Sequence, residues 1–279
     1  MKLSIIIPAR NEEGHLPGTI ERLIQVLQRH GIVHEILVVD DHSTDQTANV
    51  IKGLEARWGH VRLVSNTVDP GFGRAVHLGL QQATGDAVAI VMADGSDDPD
   101  DLVTYYCKLS EGVDCVFGSR FMRGARVVGY PWHKLCLNRL ANTMIRLLFG
   151  IPHNDITNAF KCYRREVIEG VEPLVSQHFN LTVELPLKAI VRGYSYATVP
   201  IRWTQRKHGI SKLKIKEMGS RYLFSLLSVF LEKQLVGGDY RRPTRGIHTE
   251  RLRPTQQAVA LDVGHEPRVS EHSGKGATG

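Results

Sequence analysis

The stretch Ala87-Val88-Ala89-Ile90-Val91-Met92-Ala93-Asp94-Gly95-Ser96-Asp97-Asp98-Pro99 decides the fold. Its first six residues are apolar, and a short apolar run with β-branched members predicts a strand inside a parallel sheet. The run stops in three carboxylates, Asp94, Asp97 and Asp98, within five residues. Acids just past the C-terminal end of such a strand stand where open α/β sheets bind their ligands. Carboxylates gathered this closely repel one another unless a cation lies between them, and a divalent metal carrying a phosphate answers that need. Hard oxygen donors point to Mg²⁺ or Mn²⁺ ahead of zinc. An EF-hand calcium loop is excluded on spacing: counted from Asp94, its sixth and twelfth positions hold Pro99 and Tyr105 in place of Gly and Glu. An acidic turn with an Asp cap ahead of a helix has equal standing on this stretch alone.

Outward from this strand, apolar runs alternate with helical spacing. Strands are predicted over Leu3 to Ile7, Glu35 to Val39, Val61 to Ser65 and Cys115 to Ser119. Helices are predicted over Gly14 to Gly31, Thr44 to Trp58, Gly73 to Thr84, Leu135 to Phe149 and Glu217 to Leu235. Val199 to Trp203 has the pattern of an edge strand. Strands alternating with helices predict an α/β domain whose mostly parallel, Rossmann-like sheet is covered by helices. The expected division is a catalytic domain over 1–216, an amphipathic helix over 217–236 and a disordered tail over 237–279, rich in Arg, Pro, Gly, Thr and His.

The bulk numbers narrow the class. The 279 residues are 42% hydrophobic and 23% charged, ordinary for a globular protein. A net charge of +6 suits anionic partners without naming one. Cys107, Cys115, Cys136 and Cys162 form no C-x-x-C pair, so a thiolate zinc site is not expected and free thiols are. No run of about 18 apolar residues occurs, so no membrane-spanning helix is expected. The apolar run at Leu3 is too short for a signal-peptide core.

Two further loops carry acids. The first strand ends in Pro8-Ala9-Arg10-Asn11-Glu12-Glu13, which lacks the G-x-G-x-x-G of a dinucleotide site. The second ends in Val38-Val39-Asp40-Asp41-His42-Ser43-Thr44-Asp45. Carboxylates suit hydroxyl and N–H groups better than phosphates, so Asp40 and Glu12 are candidates for the ribose or base of a nucleotide. A helix N-terminus favours acids without any ligand, so each loop singly is also explained by capping.

Taken together, seven pieces resemble the family 2 glycosyltransferases of GT-A fold. They are Ile7 to Glu13, Val39 to Thr47, Gly71 to Ala75, Met92 to Pro99, Gly118 to Arg120, Asp155 to Lys161 and Pro200 to Leu213. The last piece is similar to the branch of dolichol-phosphate mannosyltransferases and other polyprenyl-phosphate glycosyltransferases. The resemblance spans roughly residues 1 to 235. It implies that Pro8, Arg10, Glu12, Val38 and Asp40 line the nucleotide pocket. It implies that Asp94 and Asp97 hold Mg²⁺ or Mn²⁺ against the diphosphate. Arg120 and Lys134 would lie near the donor sugar and phosphates, and Arg206 and Lys212 would meet the phosphates, including that of a lipid acceptor. One departure stands out: aligned without gaps, the family's D-x-D falls on Ala93-Asp94-Gly95, and the acids move to Asp94, Asp97 and Asp98.

The implied reaction is inverting transfer of a mannose- or glucose-type sugar from a GDP- or UDP-sugar to a polyprenyl or dolichyl phosphate. Arg and Lys would take up charge on the departing diphosphate. A neutral hydroxyl acceptor would need a base, for which Asp155 and Glu184 are the candidates. The implied setting is cytoplasmic, peripheral at the inner face of a membrane, with no nucleic-acid partner. The rivals are a soluble or polysaccharide acceptor, a sugar nucleotidyltransferase, and a non-catalytic membrane-surface scaffold with a degenerate site.

Overall fold

The structure, a computed structural model, describes residues 1–205 and 215–240, the backbone alone at 215–218. Arg206, Lys212 and the tail from 241 onward lie outside the described residues. Strands β1 (Leu3–Ala9), β2 (His34–Asp40), β3 (Val61–Ser65) and β4 (Ala87–Ile90) alternate with helices α1 (Leu16–Arg29), α2 (Thr47–Arg57) and α3 (Phe72–Gln82). Then come α4 (Pro99–Ser110), β5 (Cys115–Ser119), β6 (Arg126–Val128), α5 (Trp132–Phe149), β7 (Lys161–Arg164) and α6 (Arg165–Gly170). The described chain closes with α7 (Leu181–Val191), β8 (Tyr196–Pro200), β9 (Arg202–Thr204) and α8 (Ile215–Leu231), which runs into a π-turn over Glu232–Val236.

The main sheet has the order β3-β2-β1-β4-β7-β5-β8. β1 is buried on both sides because Ile5 and Ile7 point into one core and Ile6 into the other. The first core is filled from α1, α2 and α4 by residues such as Leu23, Ile51 and Leu102, and the second from α3, α6 and α7. A third cluster joins α5, α7 and α8 through Ile145, Phe149, Leu187 and Val229. No helix of the described residues is long and apolar enough to cross a membrane.

The sequence expectations need four adjustments. β7 runs antiparallel between β4 and β5, and its mixed sequence, Lys161-Cys162-Tyr163-Arg164, carries no apolar signal. The edge strand expected over Val199 to Trp203 is split between two sheets: β8 joins β5, whereas β9 pairs with β6. β4 ends at Ile90, short of the expected Met92, because the Met92 N–H turns away to the carboxylate of Asp97. α7 was not anticipated at all, since Pro186 interrupts its pattern.

Candidate active site

β2, β1 and β4 are neighbours, and Ala9 pairs with Asp40 across the β1–β2 ladder. The loops after these strands therefore share the C-terminal edge of the sheet, with β2 and β4 about 10 Å apart on either side of β1. Side chains knit the first two loops together. Ser43 Oγ accepts from the Asn11 N–H at 3.0 Å, and Asn11 Oδ1 accepts from the Thr44 N–H at 2.7 Å. The Glu12 N–H donates to Thr47 Oγ1 at 2.9 Å, and the Gln46 N–H to Glu13 at 2.7 Å. Asn11 and His42 both have left-handed backbone, φ 55° and 59°. Such residues persist only where surrounding contacts over-determine them, and they concentrate at functional sites.

The expected nucleotide residues separate by burial. Arg10 is exposed, while Glu12 and Asp40 are half-buried at the edge. The Glu12 carboxylate meets His15 Nδ1 at 3.0 Å, and Asp40 accepts from the Ser43 N–H at 3.2 Å. Asp41 is buried and structural: its carboxylate accepts from the Gly71 N–H at 2.9 Å and from Asn66 at 2.7 Å, anchoring the start of α3. Val38 is fully buried in the core beneath α1 and α2, so its side chain offers no surface to a base or ribose. Pro8 is also buried, and Lys134 is exposed in the first turn of α5.

The acidic loop sorts its carboxylates into two groups. Asp98 caps α4 by accepting from the Asp100 N–H at 3.1 Å. Asp98, Asp100 and Asp101 surround Arg202 of β9 at 3.2 to 3.5 Å, and Asp101 also accepts the Arg202 N–H at 2.6 Å. These three acids hold β9 against α4, which removes Asp98 from the candidate metal ligands. Asp94 and Asp97 remain. Asp94 is half-buried and accepts from the Ser96 N–H at 3.1 Å. Asp97 is buried and accepts one N–H, that of Met92 at 3.1 Å, while its backbone bridges to Trp203. Burial pushes the Asp97 carboxyl up to about 7; the Met92 N–H and Arg120 oppose this, and the charge of Asp94 adds to it. A buried carboxylate with a single N–H donor among the described residues, beside a second acid, fits a divalent cation. Among the described residues no third His, Cys, Asp or Glu completes a protein-only cluster.

Below this loop lies a buried ion pair. Arg120 Nε and its backbone N–H reach Asp155 Oδ2 at 2.9 Å, and Arg120 Nη2 reaches Oδ1 at 2.8 Å. The guanidinium also sits over Phe121, Tyr130 and Trp203, at 5.3 to 6.0 Å from their ring centres. Asp155 is thus saturated by Arg120 and is not placed to act as a base. Glu184 is no better placed: it is buried, accepts from the Val175 and Ser176 N–H groups at 2.9 and 2.7 Å, and pairs with Lys188 at 3.1 Å. The expectation that either acid serves as a base is withdrawn. Next to Asp155, Thr157 takes hydrogen bonds from Asn138 and Asn142 at 3.1 and 2.9 Å, fastening α5 to this layer.

Sequence reasoning overlooked Lys161, although it closes the Asp155 to Lys161 motif. Its ammonium is buried and donates to the carbonyls of Ile156, Asn158 and Thr182; burial pulls it down to about 7, opposed by Asp155. The clamp on Arg202 and the contacts of Asn138 and Asn142 were also overlooked. Their signal, lone polar residues at a strand start and on a helix, is not distinguishable from ordinary surface chemistry.

The helix-covered, mixed sheet with its acid-bearing loops at the C-terminal edge has the GT-A architecture. Glucosyl-3-phosphoglycerate synthase from Mycobacterium tuberculosis, solved with Mn²⁺, UDP and glucosyl-3-phosphoglycerate, shares the fold at a TM-score of 0.63 and 21% identity, over 82% of this chain and 79% of that one. The family model described as glycosyl transferase family 2 matches residues 4–171. Polyprenol monophosphomannose synthase of Mycolicibacterium smegmatis is 35% identical over 215 residues, 75% of this chain and 80% of the relative. Dolichol-phosphate mannosyltransferase of Pyrococcus furiosus is 30% identical over 233 residues, 81% of this chain and 64% of the longer relative. The chain belongs to glycosyl transferase family 2. It is a glycosyltransferase, which sets aside the nucleotidyltransferase and scaffold readings.

Proposed function

We propose that this glycosyltransferase moves a hexose from a nucleotide diphosphate sugar to a polyprenyl phosphate, inverting the anomeric centre. The observation that carries this reading is the likeness to polyprenol monophosphomannose synthase over most of the chain. The names of that relative and of the Pyrococcus furiosus relative favour mannose as the sugar. Asp40 and Glu12 are the groups for ribose and base. Asp94 and Asp97 would hold Mg²⁺ or Mn²⁺, which when bound supplies positive charge to the departing diphosphate. Arg120, locked on Asp155, sets the floor under the acidic loop, and Lys134 faces the phosphates from α5. Arg206 and Lys212 complete the reading as phosphate contacts.

A phosphate acceptor is anionic before it attacks, so the step needs no strong general base. That agrees with the commitment of both Asp155 and Glu184 to other partners. A protein working on such a lipid would sit at the inner face of a cytoplasmic membrane. The test is incubation of radiolabelled GDP-mannose, UDP-glucose and their base-swapped counterparts with polyprenyl phosphate and Mn²⁺ or Mg²⁺. Label entering the organic phase, as the anomer opposite to that of the donor, is expected. Label confined to water-soluble product would transfer the reading to a soluble acceptor, and a retained anomer would overturn the inverting step.

A further inference from the structure

Lys161 begins β7 and is 1% exposed, between Ile90 of β4 and Phe117 of β5. An ammonium carries three N–H donors and no acceptor. Its three partners are all carbonyls: Ile156 at 2.8 Å, Thr182 at 3.1 Å, and Asn158. Two of them lie in the loop that starts at Asp155, and the third lies in the first turn of α7. The charge therefore ties that loop to α7. An apolar side chain of similar length would fill the space without taking a cation out of water, so packing alone does not account for a lysine here. Asp155 pins the guanidinium and the backbone N–H of Arg120. Arg120 and Asp97 in turn lie close enough for each to bias the ionisation of the other. A chain of contacts thus runs from Lys161 through Asp155 and Arg120 to the acidic loop.

We infer that Lys161 is a positioning residue for sugar transfer: its charged ammonium holds the loop from Asp155 to Asn158 so that Asp155 keeps Arg120 beneath the acidic loop. The inference rests on the reading of that loop as the donor site and extends it to a buried side chain that acts through two others. Loss of the proton would break the cradle, because a neutral amine has two N–H donors and a lone pair that repels the third carbonyl. Burial opposes the charge most strongly and pulls Lys161 down to about 7; Asp155 favours the charge, and Arg120, just after β5, opposes it. His153, two residues before Asp155, is pulled down to about 4 by burial and by Lys161, so it is neutral at neutral pH. α7 presents the Thr182 carbonyl, while its Glu184 is engaged by Lys188. The neighbours on β4 and β5, Ile90 and Phe117, carry no charge. The cradle is therefore intact below neutrality and loosens as pH rises through it.

The first test needs no substrate. The full chain, labelled with nitrogen-15 at lysine Nζ, should show an exchange-protected ammonium signal that Lys161→Met lacks, with a titration midpoint of about 7. Asp155→Asn should lower that midpoint, since it removes the carboxylate that favours the charge. A midpoint at the ordinary lysine value, unmoved by Asp155→Asn, would overturn the inference. The second test is kinetic, with the nucleotide sugar and acceptor that the transfer assay identifies, and is scaled to the folded fraction. Lys161→Met should lower kcat on the order of tenfold or more and leave KM for the nucleotide sugar unchanged. Wild-type kcat should fall as pH rises through about 7. Lys161→Arg, whose guanidinium keeps its charge, should restore most of the lost kcat and remove that fall. A lysine with a structural role only would lower the melting temperature of Lys161→Met and leave kcat and the pH profile unmoved. That result, or an alkaline fall that persists in Lys161→Arg, would overturn the inference. If the arginine overfills the site, or if the wild type transfers no sugar to polyprenyl phosphate, the ammonium signal and its response to Asp155→Asn decide.

Discussion

Replacing Asp155 by Asn leaves the geometry of the buried pair and removes its compensation. The Asp155 side chain is fully buried and that of Arg120 is 8% exposed, and three hydrogen bonds of 2.8 to 2.9 Å join the two residues. With a neutral amide in place of the carboxylate, the guanidinium stays in the interior with its directly bonded counter-charge gone. Breaking a buried pair in this way costs about 3–5 kcal/mol. Asn still accepts one N–H, so the lower end applies, and the urea midpoint should fall by roughly 1–2 M. Adding Arg120→Met removes the stranded charge, and the Asn oxygen can still accept the backbone N–H of position 120. The double variant should therefore recover most of the loss, with a coupling of at least about 2 kcal/mol in the cycle. Urea unfolding followed by tryptophan fluorescence measures all four corners. A loss below about 1 kcal/mol for Asp155→Asn, or a double variant as unstable as the two losses added, would refute the claim that this pair is a desolvated charge lock.

Asp97 has a folded-state pKa near 7, above its ordinary 3.8, because burial disfavours the charge. The folded chain therefore binds more protons than the unfolded one between those values, and the Asp97 contribution lowers stability as pH rises from about 4 to about 7 and is constant above. Asp97→Asn should gain stability over the metal-free wild type across that window, as read from paired melts at several pH values; a difference independent of pH would contradict it. Glu184→Gln should cost about 1–3 kcal/mol through its Val175, Ser176 and Lys188 contacts, while the folded fraction keeps its kcat; a selective fall in kcat would restore Glu184 as a base. Gly73→Ala would drive a methyl group into the Ser176 carbonyl and the Gln177 backbone, so a loss of about 1–3 kcal/mol is expected in urea unfolding, and an unchanged midpoint would show that the loop over α3 yields.

The alternating half of the fold was readable because β1 to β4 and α1 to α3 follow local rules of periodicity and turn chemistry. β7 and α7 were not, for opposite reasons. Lys161 enters β7 as a buried cation whose partners are backbone carbonyls of the preceding loop and of α7, and Pro186 sits in a helix stabilised by burial on nearly every side. The site was legible as a set of acids at one edge, but not in the division of labour among them. Asp94, Asp97 and Asp98 look alike in sequence, yet Asp98 is spent on a helix cap and on Arg202, a residue more than a hundred positions away. Val38 illustrates the same limit: strand alternation puts it in the α1 and α2 core, which a motif match does not register.

Asp94 and Asp97 are proposed to hold a divalent cation against a nucleoside diphosphate. Mn²⁺ binding, followed by electron paramagnetic resonance in the presence and absence of GDP and UDP, tests it most directly. The wild type should take up Mn²⁺ tightly only with a nucleotide present, and Asp94→Asn with Asp97→Asn should abolish that uptake in a chain that still melts cooperatively. Equal Mn²⁺ uptake by the folded double variant would contradict the claim.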